Sequence, residues 1–282
     1  NFNEILNNSG KDEYGLTFGI VFILVGLAFK ISAVPFHMWA PDVYEGAPTI
    51  VSTFFAVVPK IAVLGLFVRL FMYSFHDLMD SWQQVILISA ALSMVVAAFT
   101  ALTQRKIKRF LAYSSVGHVG YLLIGLGTGT IEGIQGLLIY TLIYVLMTLN
   151  AWTFLLSAEF GHKEGRAIYF TDLIGLAKIN PILAITFACT LLSMAGVPPL
   201  AGFTAKMYVF FSAMEGSMYF IAVLGVMTSV VGAFYYLRFI KIMYFEKMLV
   251  WTSFKSPSRE QSIVLGATFL FIIGLFLDPT PL

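Results

Sequence analysis

The sequence predicts an all-α fold: a polytopic membrane bundle of about eight transmembrane helices. Of its 282 residues, 59% are hydrophobic and 11% are charged, whereas a typical soluble domain has about 25% charged residues. The apolar residues come in runs of about 20 or more, the length a helix needs to cross a hydrocarbon core roughly 30 Å thick. Runs such as 82–103 lack the alternation of β-barrel strands. The composition excludes a soluble globule, a disordered chain and a disulfide scaffold.

Eight apolar runs follow one another along the chain. They cover residues 15–40, 49–75, 82–103, 109–129, 131–157, 180–214, 217–245 and 260–277. The polar segment 1–14 has neither the basic start of a signal peptide nor the arginine-rich pattern of a transit peptide. A single cysteine, Cys189, permits no intrachain disulfide. The net charge of +2 is scattered through the chain, which predicts membrane lipids and no nucleic acid as partners.

The charges between the spans predict the orientation. Most of the seventeen basic residues fall in the connections after spans one, three, five and seven, which we call side B. They are Arg105, Lys106, Lys108, Arg109, Lys163, Arg166, Lys178, Arg238, Lys241, Lys247, Lys255 and Arg259. The opposite side, side A, holds Lys11 and Arg69. Because short loops rich in Lys and Arg stay inside, side B is predicted to face the matrix or cytoplasm, and both termini are predicted on side A.

Three lysines lie within apolar runs: Lys30, Lys60 and Lys206. A lysine at the centre of a membrane helix costs about 2.5–3.5 kcal/mol on insertion scales. Each either snorkels from a helix end or faces a hydrated interior and exchanges protons. Lys60 lies eleven residues into its run, about 16 Å deep at 1.5 Å per residue, which favours proton exchange.

Two spans are predicted to be broken. The run 180–214 has 35 residues and would measure about 52 Å as one helix. Pro198 and Pro199 at its centre lack N–H donors, so a break is predicted there, with Lys206 just past it. The first span carries a similar interruption at Pro35.

In the second span, Pro59 precedes Lys60. It is expected to free the carbonyl of Phe55 and kink the helix.

Polar residues in the fourth span form a second candidate group. In RFLAYSSVGHVGYLL, the side chains of Ser114, Ser115, His118 and Tyr121 are able to share one helix face. The group is either a hydrated proton relay, since histidine titrates near neutrality, or a hydrogen-bonded packing cluster.

Two acids, Asp42 and Glu45, follow the first span. They lie either near a proton entrance or at helix ends as caps. The sequence shows no phosphate-binding loop, metal-ligand cluster or nucleophile–base arrangement. We therefore expect no metal or cofactor to be bound by this chain.

Four segments together resemble a known family. They are FKISAVPFHMWAPDVYEGAPT, PKIAVLG, RFLAYSSVGHVGYLL and SMAGVPPLAGFTAK. They are similar to the antiporter-like membrane subunits of respiratory complex I, and PDVYEGAPT is similar to the NADH dehydrogenase subunit 2 (bacterial chain N) branch. The resemblance spans nearly all of the chain. It implies proton translocation, driven by NADH oxidation and ubiquinone reduction in partner subunits that hold FMN and iron–sulfur clusters. No redox chemistry is implied for this chain.

The family's fold implies a division of the chain. Members have fourteen helices with two inverted five-helix repeats. Residues 15–75 match the last two helices of the first repeat, 82–245 match a complete second repeat, and 260–282 match the C-terminal helix and tail.

The family's functional residues are carried over by motif. Lys30 matches the lysine of the broken seventh helix, and Lys60 matches that of the eighth. His118 matches the histidine of the tenth helix, and Lys206 matches the lysine of the broken twelfth, on the exit side.

The main departure from the family is at the start, since the first six helices have no counterpart here. They include a membrane glutamate expected to pair with Lys30. We expect a second polypeptide to supply them and to pack against the first two spans, beside other membrane-arm subunits. Two alternatives stay open: a subunit of a multisubunit cation/proton antiporter, and a non-pumping structural remnant. The Phe, Ile, Tyr and Asn content favours the mitochondrial inner membrane over a bacterial plasma membrane.

Overall fold

The computed structural model describes residues 13–158, 168–247 and 256–277. Eleven α-helices lie within these ranges, and no strand is found there beyond one isolated bridge between Lys106 and Tyr169. The helices are α1 (Glu13–Ile31), α2 (Trp39–Gly46), α3 (Thr49–Val68), α4 (Met79–Thr103), α5 (Ile107–Gly127), α6 (Ile131–Ser157), α7 (Leu176–Ile179), α8 (Pro181–Ala195), α9 (Ala201–Glu215), α10 (Tyr219–Phe245) and α11 (Arg259–Leu277). The all-α prediction is confirmed.

The predicted spans correspond to these helices to within a few residues. Six segments of the described chain are long and apolar enough to cross a membrane. The other two predicted spans, 15–40 and 180–214, are interrupted, as expected. Most of the polar segment 1–14, the tail after residue 277, and Lys11, Lys163, Arg166 and Lys255 lie outside the described residues.

The first interruption separates α1 from α2 at residues 32–38. Its backbone is held by serines of α4: the Val34 N–H donates to Ser93 Oγ at 2.9 Å, and Ser89 Oγ donates to the Val34 carbonyl at 2.7 Å. Irregular backbone at membrane depth requires such partners, because lipid offers none.

The second interruption separates α8 from α9. Gly196 ends α8 in the left-handed region, with φ +85°, and Ser193 Oγ accepts a hydrogen bond from the Gly202 N–H at 3.0 Å. A Cβ atom on Gly202 would lie 1.8 Å from the Ser193 carbonyl oxygen. The two half-helices therefore meet at a contact that only glycine permits.

Helix α5 forms the centre of the bundle, and nearly all of its residues are buried. It packs closely on α4, where a Cβ on Gly120 would be 3.0 Å from the Ala90 carbonyl oxygen. The helices α1 and α3 lie at the edge, with phenylalanines and isoleucines exposed on their outer sides. Ser114, Ser115, His118 and Tyr121 of α5 are consequently interior, whereas α1 and α3 each present one open face.

Candidate functional site

Two lysines are buried in the interior of the bundle. The side chain of Lys60 on α3 is 1% exposed, and that of Lys206 on α9 is 6% exposed. A buried charge is strongly disfavoured unless polar groups satisfy it. The surroundings of these two residues therefore define the candidate site.

Lys60 is satisfied by hydroxyl groups from two neighbouring helices. Its Nζ donates to Ser115 Oγ on α5 at 2.8 Å and to Tyr144 Oη on α6 at 3.4 Å. Tyr144 Oη in turn donates to the Ala56 carbonyl at 3.0 Å, and Ser115 Oγ donates to the Ala112 carbonyl at 2.8 Å. Lys60 is thus held by two hydroxyl groups, each of which donates onward to a backbone carbonyl.

The carbonyl that Pro59 was expected to free has a partner on another helix. Because Pro59 has no N–H, the Phe55 carbonyl has no helical donor, and Tyr44 Oη on α2 donates to it at 3.1 Å. Helix α3 continues past the proline as one element.

Lys206 is held at the interruption between α8 and α9. Its Nζ donates to the Ala195 carbonyl at 2.7 Å and to Ser229 Oγ at 2.9 Å, and it lies 5.0 Å from the ring centre of Tyr121. Ala195 is the last residue of α8, where carbonyls lack helical donors and the helix dipole favours a cation. The predicted break therefore supplies the principal acceptor of the lysine.

His118 lies between the two lysine environments. Its Nδ1 is 2.8 Å from Tyr140 Oη, and its Nε2 is 3.4 Å from Tyr236 Oη. Tyr236 Oη also shares a hydrogen bond with Ser114 Oγ. Both ring nitrogens have a hydroxyl partner, and the tautomer decides which atoms donate.

Two small cavities of about 10 Å³ each, roughly the room of one water molecule, adjoin His118. One is also lined by Tyr121 and Lys206, and the other by Ser115 and Tyr144. His118 borders both, together with Ser114 and Met194. The polar side chains around these two cavities form a track that extends from the partners of Lys60, past His118, to Lys206.

Asp42 and Glu45 lie at the side-B surface, in ion pairs. Arg109 Nη1 is 3.0 Å from Asp42 Oδ1 and 3.1 Å from Glu45 Oε2, and Lys106 Nζ binds Glu45 Oε1. The hydrogen bond from Lys106 is the main cause that lowers the pKa of the Glu45 carboxyl group. These pairs join α2 to the start of α5, and so place the connections after spans one and three on the same side of the bundle.

Lys30 is not part of this track. It is exposed on α1, next to Phe29, which is also exposed. Among the residues predicted from the sequence, the structure brings together Lys60, Ser114, Ser115, His118, Tyr121 and Lys206, whereas Lys30, Asp42 and Glu45 lie elsewhere. Pro198 and Pro199 lie in the interruption next to Lys206, between α8 and α9.

Sequence reasoning missed the tyrosines of the site: Tyr44, Tyr140, Tyr144 and Tyr236. A signal was present for two of them. Tyr140 and Tyr144 are one helical turn apart in a strongly apolar run, and a buried tyrosine hydroxyl usually has a hydrogen-bond partner.

Comparisons with known proteins identify relatives of this chain. The family described as "NADH:quinone oxidoreductase/Mrp antiporter, TM" matches residues 1–232. NADH-ubiquinone oxidoreductase chain 2 of Marchantia polymorpha is 53% identical over 97% of this chain, and NADH-quinone oxidoreductase subunit N of Rhodospirillum rubrum is 51% identical over 96%. The match covers 55% of each relative, so the chain spans about half the length of these curated relatives.

A solved structure has the same fold. A chain of respiratory complex I from Thermus thermophilus superposes with a TM-score of 0.78 and 33% identity, over 94% of this chain and 57% of that one.

Proposed function

We propose that this chain is a proton-translocating membrane subunit of respiratory complex I. It belongs to the family described as "NADH:quinone oxidoreductase/Mrp antiporter, TM". It is a multi-pass protein of the mitochondrial inner membrane or the bacterial plasma membrane. NADH:ubiquinone oxidoreduction takes place in partner subunits, which hold NADH, FMN, iron–sulfur clusters and ubiquinone. Relatives above 50% identity that are named for NADH oxidation favour this assignment over a separate cation/proton antiporter.

The observation that carries the proposal is the buried track from Lys60 through His118 to Lys206. Each of these three groups accepts and releases a proton, and a hydroxyl or water between them passes a proton by accepting one and releasing another. Short distances for proton transfer are offered by the 2.8 Å contact from Lys60 to Ser115 and by the two water-sized cavities beside His118. Ser114, Tyr121 and the buried tyrosines orient the participants.

The test is proton pumping by the assembled complex in sealed vesicles, driven by NADH and a ubiquinone. Replacing Lys206 or Lys60 by alanine removes a proton-exchanging group from the track, so pumping and coupled turnover should fall. Lys241→Ala, at an exposed lysine of α10, is the matched control and should pump normally. Wild-type pumping in a correctly assembled Lys206→Ala complex would show that this lysine is structural.

The division of the chain is proposed to follow the family's repeats. Residues 15–75 form the last two helices of one repeat, 82–245 form a second five-helix repeat, and 260–282 form a C-terminal helix and tail. The two interrupted helices support this assignment, because paired interruptions in two halves are typical of inverted-repeat transporters. Each interruption also lies next to a lysine, Lys30 or Lys206.

We further propose that helices from outside residues 1–282 cover the outer face of α1 and α3 and place an acid near Lys30. Phe18, Phe22 and Phe54 are more than half exposed on α1 and α3, and the exposed Lys30 in the last turn of α1 is a charge that is costly against lipid.

A map of the intact complex tests the covering helices. It should show helices against α1 and α3, with a carboxylate within several ångströms of Lys30. Lipid alone on that face would refute the packing.

A further inference from the structure

Three links connect helices α2, α3 and α5 in a closed triangle. Glu45 on α2 forms ion pairs with Lys106 and Arg109 at the start of α5. Lys60 on α3 donates to Ser115 on α5. The third link joins α2 to α3 and is made by Tyr44, the residue just before Glu45.

Tyr44 is completely buried, and its surroundings fix it closely. Its ring lies edge-on to Trp152 at 5.8 Å and to Trp39 at 6.3 Å between ring centres. Its own carbonyl accepts a hydrogen bond from Ser52 Oγ on α3 at 2.9 Å. The hydroxyl group therefore has one well-defined position, at the backbone of α3.

The carbonyl that Tyr44 binds is the one that Pro59 leaves without a helical donor. Tyr44 Oη lies 3.1 Å from the Phe55 oxygen, and a buried acceptor without a donor is strongly disfavoured. The next carbonyl, that of Ala56, accepts from Tyr144 Oη, which also accepts from Lys60. Two tyrosines on two different helices thus hold the turn of α3 that leads to Lys60.

We propose that Tyr44 is a positioning residue for Lys60. By donating to the Phe55 carbonyl, it fixes the height of that turn, so that Lys60 Nζ stays within hydrogen-bond distance of Ser115 Oγ. The inference rests on the proposed proton-transfer function. It also assigns a role to helix α2: its ion pairs with α5 hold α2, and therefore Tyr44, in place relative to α5.

The first test is Tyr44→Phe in the assembled complex, with NADH-driven proton pumping as the readout. The variant keeps the ring contacts and loses only the hydroxyl. Pumping and kcat should fall roughly two- to tenfold, the range expected when one hydrogen bond is lost, with KM for the quinone unchanged. Tyr73→Phe is the matched control, because Tyr73 is 82% exposed, and it should pump as the wild type does.

A second variant tests the route through the Phe55 carbonyl. Pro59→Ala restores an N–H that is able to donate to that oxygen, so adding Tyr44→Phe to Pro59→Ala should reduce pumping much less than Tyr44→Phe does in the wild type. Equal reductions in the two backgrounds would overturn the proposal. If Tyr44→Phe alone fails to assemble, the double variant should assemble and pump, and its failure to do so would also overturn it.

Lys60→Ala separates this inference from the function it rests on. Loss of pumping in Lys60→Ala together with normal pumping in Tyr44→Phe would overturn only the positioning role. Normal pumping in Lys60→Ala would overturn the participation of Lys60 itself, and with it any need to position the residue.

Discussion

At the residue scale, the three lysines show what a single sequence position reveals. A lysine in an apolar run is costly in any membrane helix, so Lys30, Lys60 and Lys206 were all identifiable without a structure. Their surroundings were not, because the position of a residue along a run does not tell which neighbour its side chain faces. Lys60 is buried against hydroxyl groups, and Lys206 is buried against the carbonyl that ends α8. Lys30, in contrast, lies on an open face.

The tyrosines of the track could not be predicted for a related reason. A tyrosine in an apolar helix has the same sequence signature whether it is exposed, as Tyr73 is, or donates to a carbonyl on another helix, as Tyr44 and Tyr144 do. Only the position of the partner helix distinguishes these cases.

Lys206→Arg separates proton exchange from fixed charge. Arginine keeps a positive charge and N–H donors for the Ala195 carbonyl and Ser229, but it does not release its proton in proteins. Pumping should therefore fall by roughly a hundredfold, at the lower end of what a proton-transfer group contributes, while the complex still assembles. Lys241→Arg is the control. An arginine variant that pumps like the wild type would show that Lys206 acts through its charge alone.

At the scale of elements, the two helix breaks were predictable, but the hydrogen bonds that hold the interrupted backbone were not. Paired prolines after Gly196 predict an interruption because they lack N–H donors. The serines that bind the interrupted backbone give no such signal, because a serine in a membrane helix also forms hydrogen bonds with the backbone of its own helix. Ser93 does both: it donates to the Ser89 carbonyl at 2.7 Å and accepts from the Val34 N–H.

The contact between α8 and α9 predicts the effect of Gly202→Ala. The new methyl group would lie 1.8 Å from the Ser193 carbonyl oxygen, so the half-helices must separate, at a cost of about 1–3 kcal/mol or more for overpacking. The assembled complex should melt at a lower temperature and accumulate less. Gly266→Ala is the matched control, since nothing lies within 4 Å of a Cβ there. Equal thermal stability of the two variants would contradict the close approach.

At the scale of the whole molecule, the positions of the apolar helices were predictable because the bilayer sets the length of each apolar run, and six of the eight predicted spans are long enough to cross a membrane. Their arrangement was not. The central position of α5 depends on glycines such as Gly120 that admit a neighbouring backbone, and glycines occur equally at open positions such as Gly26. Charge also predicts the relative sides of the connections, and the Glu45–Lys106 and Glu45–Arg109 pairs place two of the predicted side-B connections together.

The orientation itself is a prediction for labelling. With Cys189 replaced by alanine, single cysteines are introduced at Lys178 and at Glu132, which are both exposed and lie at opposite ends of the bundle in the predicted topology. Lys178 belongs to the basic side B, whereas Glu132 begins α6 on side A. A membrane-impermeant maleimide should therefore label Lys178→Cys from the matrix or cytoplasmic side and Glu132→Cys from the opposite side. Reversed labelling would overturn the orientation, and labelling of both from one side would overturn the number of crossings between them.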